Sequence, residues 1–168
     1  MTTQNRRKNH NGMETQAELI NQLDASHKTM RALLDEIQTG AEVYAGWTIR
    51  EVLAHLTGWD EAVAASLRAY AKGSEAAIAA YRGINDYNAR SVETREGLNY
   101  EQTCREWELA REELKAALLA LTDEQYAGEL LYPWGQRGSV PGLVQIFIHH
   151  ERDHAEEIRG LMGKRDAV

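Results

Sequence analysis

Apolar residues recur along this chain every three or four positions, the spacing of one helical face, in four long segments. The first opens at Thr15-Gln16-Ala17-Glu18, a capping-box pattern, and repeats Leu19, Leu23, Met30, Leu34 and Ile37 before Thr39-Gly40. The second opens at another capping box, Thr48-Ile49-Arg50-Glu51, with Trp47 placed as a hydrophobic staple toward Val52. Its stripe of Ile49, Val52, Leu53, Leu56, Val63, Leu67 and Tyr70 closes near Lys72-Gly73. The third covers about Asn99 to Leu121, with Tyr100, Trp107, Leu114, Leu118 and Leu121 on one face. The fourth follows Ser139-Val140-Pro141 and carries Leu143, Phe147, Ile158 and Leu161 ahead of Gly163.

Four amphipathic helices of about 20 residues each predict an all-α four-helix bundle. The chain has only two prolines, Pro133 and Pro141, so little interrupts that pattern. A short link, Gly40 to Trp47, joins the first two helices. About 25 residues separate the second and third, enough for a long crossover, and they include a predicted short helix through Ala76 to Arg90. Between the third and fourth lie a small capped turn, Thr122 to Gln125, and a loop, Tyr132-Pro133-Trp134-Gly135. Only the run from Glu129 to Tyr132 reads as a strand. Residues 1–13 read as a flexible arm with Met13 an alternative start, 14–163 as the bundle, and 164–168 as a tail.

Composition narrows the function classes. The 168 residues, 43% apolar and 27% charged, are those of one globular domain. A formal charge of −7 with no basic stripe argues against nucleic acid as a partner and against an anionic membrane surface. No segment approaches the roughly 18 apolar residues of a membrane span, and the start lacks the apolar run of a signal peptide, so a cytoplasmic location is expected. The single cysteine, Cys104, excludes an internal disulfide and a cysteine-rich zinc site, and it reads as a packing residue.

Histidine is the informative residue, because three of the six fall between positions 149 and 154. At about 100° per residue, His150 and His154 share the apolar face of the fourth helix, while His149 points away. Two imidazoles in an apolar stripe need hydrogen bonds or a metal ion. Four-residue spacing lets both nitrogens reach one ion, and His55, beside Val52 and Trp59 on the second helix, supplies a third ligand. Three histidines with an open coordination position suit a catalytic site rather than a closed structural one. The competing reading makes them satisfied core histidines of a non-enzymatic, oligomerising bundle. His27 reads as structural or as a support to the ligands.

His150-Glu151-Arg152-Asp153-His154 also matches the H-E-x-x-H pattern, which makes Glu151 a candidate base, with Glu51 the other. A metalloprotease is disfavoured by the missing third histidine of the extended pattern and by the lack of a strand to hold a peptide. A di-iron site is disfavoured too, since only one Glu-x-x-His motif is present. Trp47, Trp59 and Trp107 sit at core spacings, whereas Trp134 lies in a loop; Trp59, Tyr132 and Trp134 are the candidate substrate contacts.

The run from Gly46 to Trp59, GWTIREVLAHLTGW, together with His150 and His154, resembles the signature of the DinB-like superfamily. Asn85-Asp86-Tyr87-Asn88-Ala89-Arg90 and the Tyr132-to-Trp134 loop look most like its ClbS/DfsB-like branch. The resemblance covers about residues 15–162. It implies a four-helix bundle with a crossover between helices two and three, and a divalent ion, zinc or nickel, held by His55, His150 and His154. It further implies a small-molecule substrate, a low-molecular-weight thiol co-substrate and a homodimer. Two chemistries follow from it: a metal-dependent hydrolase or thiol transferase, or a metal-independent resistance protein that hydrolyses or sequesters a genotoxic natural product.

Overall fold

The computed structural model describes Gly12 and residues 14–165, and the side chains as far as Met162. The predicted arm at 1–13, Gly12 apart, and the last three residues of the predicted tail therefore lie outside the described residues. Four long helices form the body: α1 (Gln16–Glu36), α2 (Ile49–Ala71), α4 (Tyr100–Leu119) and α6 (Val140–Arg165). Two short ones, α3 (Ile84–Glu93) and α5 (Asp123–Tyr126), lie in the connections. Both predicted capping boxes form: Thr15 N donates to Glu18 at 2.8 Å, and Thr48 N donates to Glu51 at 2.8 Å. Trp47 packs on the apolar cluster that contains Val52, as a staple should.

Helix directions follow from side-chain pairs. Asp60–Arg111 and Arg68–Glu113 rise together, so α2 and α4 run the same way. Gln22–Gln145 and Ser26–Glu151 also rise together, so α1 and α6 are parallel. His55–His150 and Trp59–Phe147 run in opposite senses, making α2 and α6 antiparallel. Two successive long helices in one direction require the crossover, and residues 72–99 supply it.

Four predicted elements differ from what forms. The short helix begins at Ile84, not Ala76, because Gly83 takes a φ of 101°, which a helix cannot contain. Residues before it are held instead by the neighbouring loop, Ala80 N donating to Pro133 O at 2.9 Å. The link between α1 and α2 is a small antiparallel hairpin, β1 (Glu42–Tyr44) with β2 (Trp47–Thr48), whose tight turn uses Gly46 at φ 81°. The predicted strand forms as β3 (Glu129–Leu131) and gains a partner, β4 (Arg137–Ser139). Helix α6 continues to Arg165, two residues past Gly163.

The core is split in two by a polar layer. One cluster joins Leu19, Leu23, Trp59, Val63, Leu114 and Phe147; the other joins Met30, Leu53, Leu56, Trp107, Ala155 and Ile158. Between them each long helix contributes a buried polar residue: Ser26, Asp60, Arg111 and Glu151. Arg111 sits between two carboxylates, 2.7 Å from Asp60 Oδ2 and 3.1 Å from Glu151 Oε2. That placement satisfies charges that burial alone would make prohibitive.

Candidate metal centre and adjoining cavity

His55 comes from the second turn of α2, and His150 and His154 from successive turns of α6. His55 Nε2 lies 2.8 Å from His150 Nε2, which lies 3.1 Å from His154 Nε2. One ligating atom from each ring falls within 4.8 Å of the others. Nitrogens bound to a common ion at about 2 Å lie no more than about 4 Å apart, so the 2.8 and 3.1 Å separations fit as they stand, and the widest pair, within 4.8 Å, has to close on binding. The rings stand nearly edge to face, with centroids 4.8 to 5.2 Å apart. Such nitrogens crowd together unfavourably as cations and favourably as neutral donors to one ion.

Electrostatics point the same way. Burial, then the neighbouring imidazoles, push His55 down to about 3 from the ordinary 6.5. Burial, His154 and Arg111 push His150 down to about 3. Both rings are therefore neutral at neutral pH, with lone pairs available. This donor set is compatible with a divalent cation.

A support for His154 was not apparent in the sequence. Its Nδ1 lies 2.8 Å from Glu157 Oε2 and 2.9 Å from the Tyr44 hydroxyl, which itself donates to Glu157. Burial and then the Glu157 carboxylate push the Tyr44 phenol above its ordinary range, so it stays a donor. A carboxylate only accepts, so Nδ1 of His154 carries the hydrogen and Nε2 keeps the lone pair that faces His150. By contrast, His55 Nδ1 is buried without a hydrogen-bond partner among the described residues. Trp47, 5.4 Å away between ring centres, packs beside that ring.

The two candidate bases lie elsewhere. Glu151 is fully buried in the polar layer: Ser26 donates at 2.6 Å, Trp107 Nε1 at 3.2 Å, and His27 Nδ1 is 3.1 Å away. Burial alone would raise this carboxyl, but His27 and Arg111 bring it below its usual range. The apolar stripe therefore centres on Glu151, with His150 and His154 at its edge rather than in its middle. Glu51 is occupied by the cap at Thr48 and by Arg50. His27 stacks on Trp107 at 3.8 Å, in a structural setting, and Cys104 is half-buried beside the second cluster.

A cavity of about 610 Å³ opens beside His150. Trp59, Trp134 and Phe147 line it, with ring centres 5.6 to 6.2 Å apart. Trp59 is anchored to the crossover, its Nε1 donating to Asn88 at 2.8 Å. Trp134 is carried by the β3–β4 turn, where Gly135 takes a φ of 91°. Tyr132 is not on the cavity wall; it stands behind Trp134 at 5.1 Å and donates to Ser139 O at 2.8 Å. His149 is exposed, as its position predicts, and it borders the cavity. No helix among the described residues is long and apolar enough to cross a membrane.

Solved structures share this architecture. The mycothiol-dependent maleylpyruvate isomerase superposes with a TM-score of 0.74 at 14% identity, over 86% of this chain and 61% of its own. The chain thus spans about three fifths of that enzyme's length. Uncharacterised proteins of Escherichia coli UTI89 (TM-score 0.74, 17% identity, 90% of this chain and 95% of that one) and Clostridium difficile 630 (0.75, 14%, 89% and 96%) match along nearly their whole lengths. No curated protein shows a significant sequence match. Residues 20–150 match the family described as the mycothiol maleylpyruvate isomerase N-terminal domain, a span that holds most of the bundle with His55 and His150 and ends within α6, ahead of His154. The chain belongs to that family, and through it to the DinB-like superfamily.

Proposed function

We propose that this chain is a metal-dependent enzyme that activates a low-molecular-weight thiol, or water, against a small electrophilic substrate. The supporting observation is the convergence of His55, His150 and His154 nitrogens beside an aromatic cavity. His55, His150 and His154 would hold the divalent ion, zinc or nickel, and its Lewis acidity when bound would make a thiol or water nucleophilic near neutral pH. The chain's own residues prepare the place: burial keeps His55 and His150 neutral, and Glu157 orients His154. Trp59, Trp134 and Phe147 give the cavity next to His150 an apolar, aromatic wall. A thiol co-substrate draws support from the mycothiol-dependent relative, and a thiol transferase or hydrolase is the reaction class.

Metal analysis of protein purified without a nickel column tests the reading. About one ion per chain is expected, falling to a small fraction in His150→Ala; sub-stoichiometric metal in both overturns it. At the level of branch, we assign the chain to the ClbS/DfsB-like group on Asn85–Arg90 and Tyr132–Trp134, which both neighbour Trp59 or Trp134. That aromatic setting also favours a second reading, metal-independent hydrolysis or sequestration of a genotoxic natural product. Protection of cells that survives combined loss of His150 and His154 selects it over the first.

A further inference from the structure

We infer, resting on that reading of the site, that its substrate is a flat, apolar-bodied molecule with an oxygen donor at one end. The body lies against Trp59 and Trp134, the donor is directed to the ion site at His150, and Trp134 sets the preference for a ring. Of the three converging histidines, His150 is the one that also lines the cavity. The other two are flanked elsewhere: Trp47 packs beside His55 at 5.4 Å between ring centres, and Tyr44 and Glu157 cover Nδ1 of His154. A molecule in the cavity therefore meets the ion site across His150.

The lining divides by chemistry. Among the described residues its ionisable groups, His149, His150 and Asp153, all come from α6. The two indoles come from α2 and the β3–β4 turn, and neither has an N–H left for a ligand. Trp59 Nε1 donates to Asn88 at 2.8 Å, and Trp134 Nε1 donates to Gln136 at 2.8 Å. What they offer is π surface, which gains most from stacking or edge contact with another flat ring. At about 610 Å³ the cavity has room for one or two rings. Trp134 is set in place before any ligand arrives: Ala80 N donates to Pro133 O at 2.9 Å, tying the turn to the crossover, and Tyr132 backs the indole at 5.1 Å. A ligand polar at one end only matches this lining in one orientation, with its donor toward α6.

The test uses the full chain loaded with zinc and two probes: 2-naphthohydroxamic acid, which carries ring and donor, and acetohydroxamic acid, which carries the donor alone. By titration calorimetry the naphthyl probe is expected to bind about tenfold tighter than acetohydroxamate, and about tenfold tighter to the loaded chain than to one stripped by a chelator. Trp134→Phe keeps a ring and is expected to keep most of the naphthyl advantage. Trp134→Ala is expected to cut it to about threefold or less, with acetohydroxamate affinity, zinc content and helicity by circular dichroism unchanged. Equal affinities for the two probes overturn the inference. So does a naphthyl advantage undiminished in Trp134→Ala, or a parallel fall in acetohydroxamate affinity there, which would put the loss at the ion. Naphthyl binding as tight to the stripped chain as to the loaded one overturns it too, because ring and donor then do not share one site. A chain that takes up no zinc fails the proposed function itself. One that holds zinc and shows no naphthyl advantage keeps that function and loses this inference alone.

Discussion

Glu157 Oε2 lies 2.8 Å from Nδ1 of His154, on the opposite side of the ring from the nitrogen that faces His150. A carboxylate so placed fixes the tautomer, holds the ring's orientation and strengthens Nε2 as a donor. Glu157→Ala is therefore expected to weaken metal binding by about 10- to 100-fold, measured by competition with a chromophoric chelator. Glu157→Gln, which still accepts from Nδ1 through its amide oxygen, is expected to lose less. Tyr44→Phe removes a donor to Glu157 and leaves the carboxylate on His154, so its effect is expected to be the smallest of the three. Equal affinity in all of them and the parent would refute a positioning role.

Glu151 and Glu51 separate by stability rather than by catalysis. Glu151→Ala deprives Arg111, Ser26, His27 and Trp107 of a shared acceptor in the core, and breaking one side of a buried ion pair costs about 3–5 kcal/mol. Glu51→Ala loses only half of a capping box, about 1 kcal/mol. Urea unfolding of the two variants checks the ranking. A Glu51 variant as unstable as the Glu151 one would show that the cap carries more than local structure.

The bundle and the three histidines were legible because each rests on a short-range rule. Helical periodicity reports which residues share a face, and four-residue spacing sets His150 and His154 one turn apart. Glu157 was not legible, because three residues beyond His154 on a polar face it reads as an ordinary surface charge. Tyr44 was hidden in a link too short to register as a hairpin, though Gly46 before Trp47 marked the turn. Glu151 was obscured by its own motif: H-E-x-x-H suggests a base, while the signal for the polar layer lies across four helices. Ser26, Asp60, Arg111 and Glu151 each interrupt an apolar stripe at the same height, a coincidence visible only once the helices are aligned.

Acid should unfold the metal-free chain through two of the histidines. His55 and His150 have folded values of about 3 against an ordinary 6.5, so unfolding takes up protons between those limits. Their contribution is fully present above pH 6.5 and is lost as pH falls toward 3. Asp60 acts in the opposite sense: burial raises it to about 6 from 3.8 despite Arg111, so its contribution is present below 3.8 and lost as pH rises through 6. Two imidazoles against one carboxyl leave a net uptake of about one proton near pH 5, or about 1.4 kcal/mol per pH unit. Denaturant midpoints between pH 7 and 4 should fall more steeply for the parent than for a His55→Leu, His150→Leu double variant. Parallel slopes would show that neither imidazole is held neutral by the fold.

Gly58 supports the cavity from behind. A Cβ built there would lie 2.4 Å from Ser91 Oγ and 2.6 Å from Ser91 Cβ, and Tyr87 OH donates to Gly58 O at 2.6 Å. The glycine therefore lets α3 lie directly on α2, which sets the height at which Asn88 meets Trp59. Gly58→Ala must push α3 outward. Overpacking of this kind costs about 1–3 kcal/mol, and the displaced Asn88 would release the indole that forms one wall of the cavity. The clash is with a side chain, so Ser91→Gly should restore much of the loss, giving a coupling energy in a double-mutant cycle. Tryptophan emission offers a second readout, since Trp59 gains water contact only if α3 has moved. Additive costs in the cycle, with no rescue by Ser91→Gly, would place the strain in the α2 backbone instead of the α2–α3 contact.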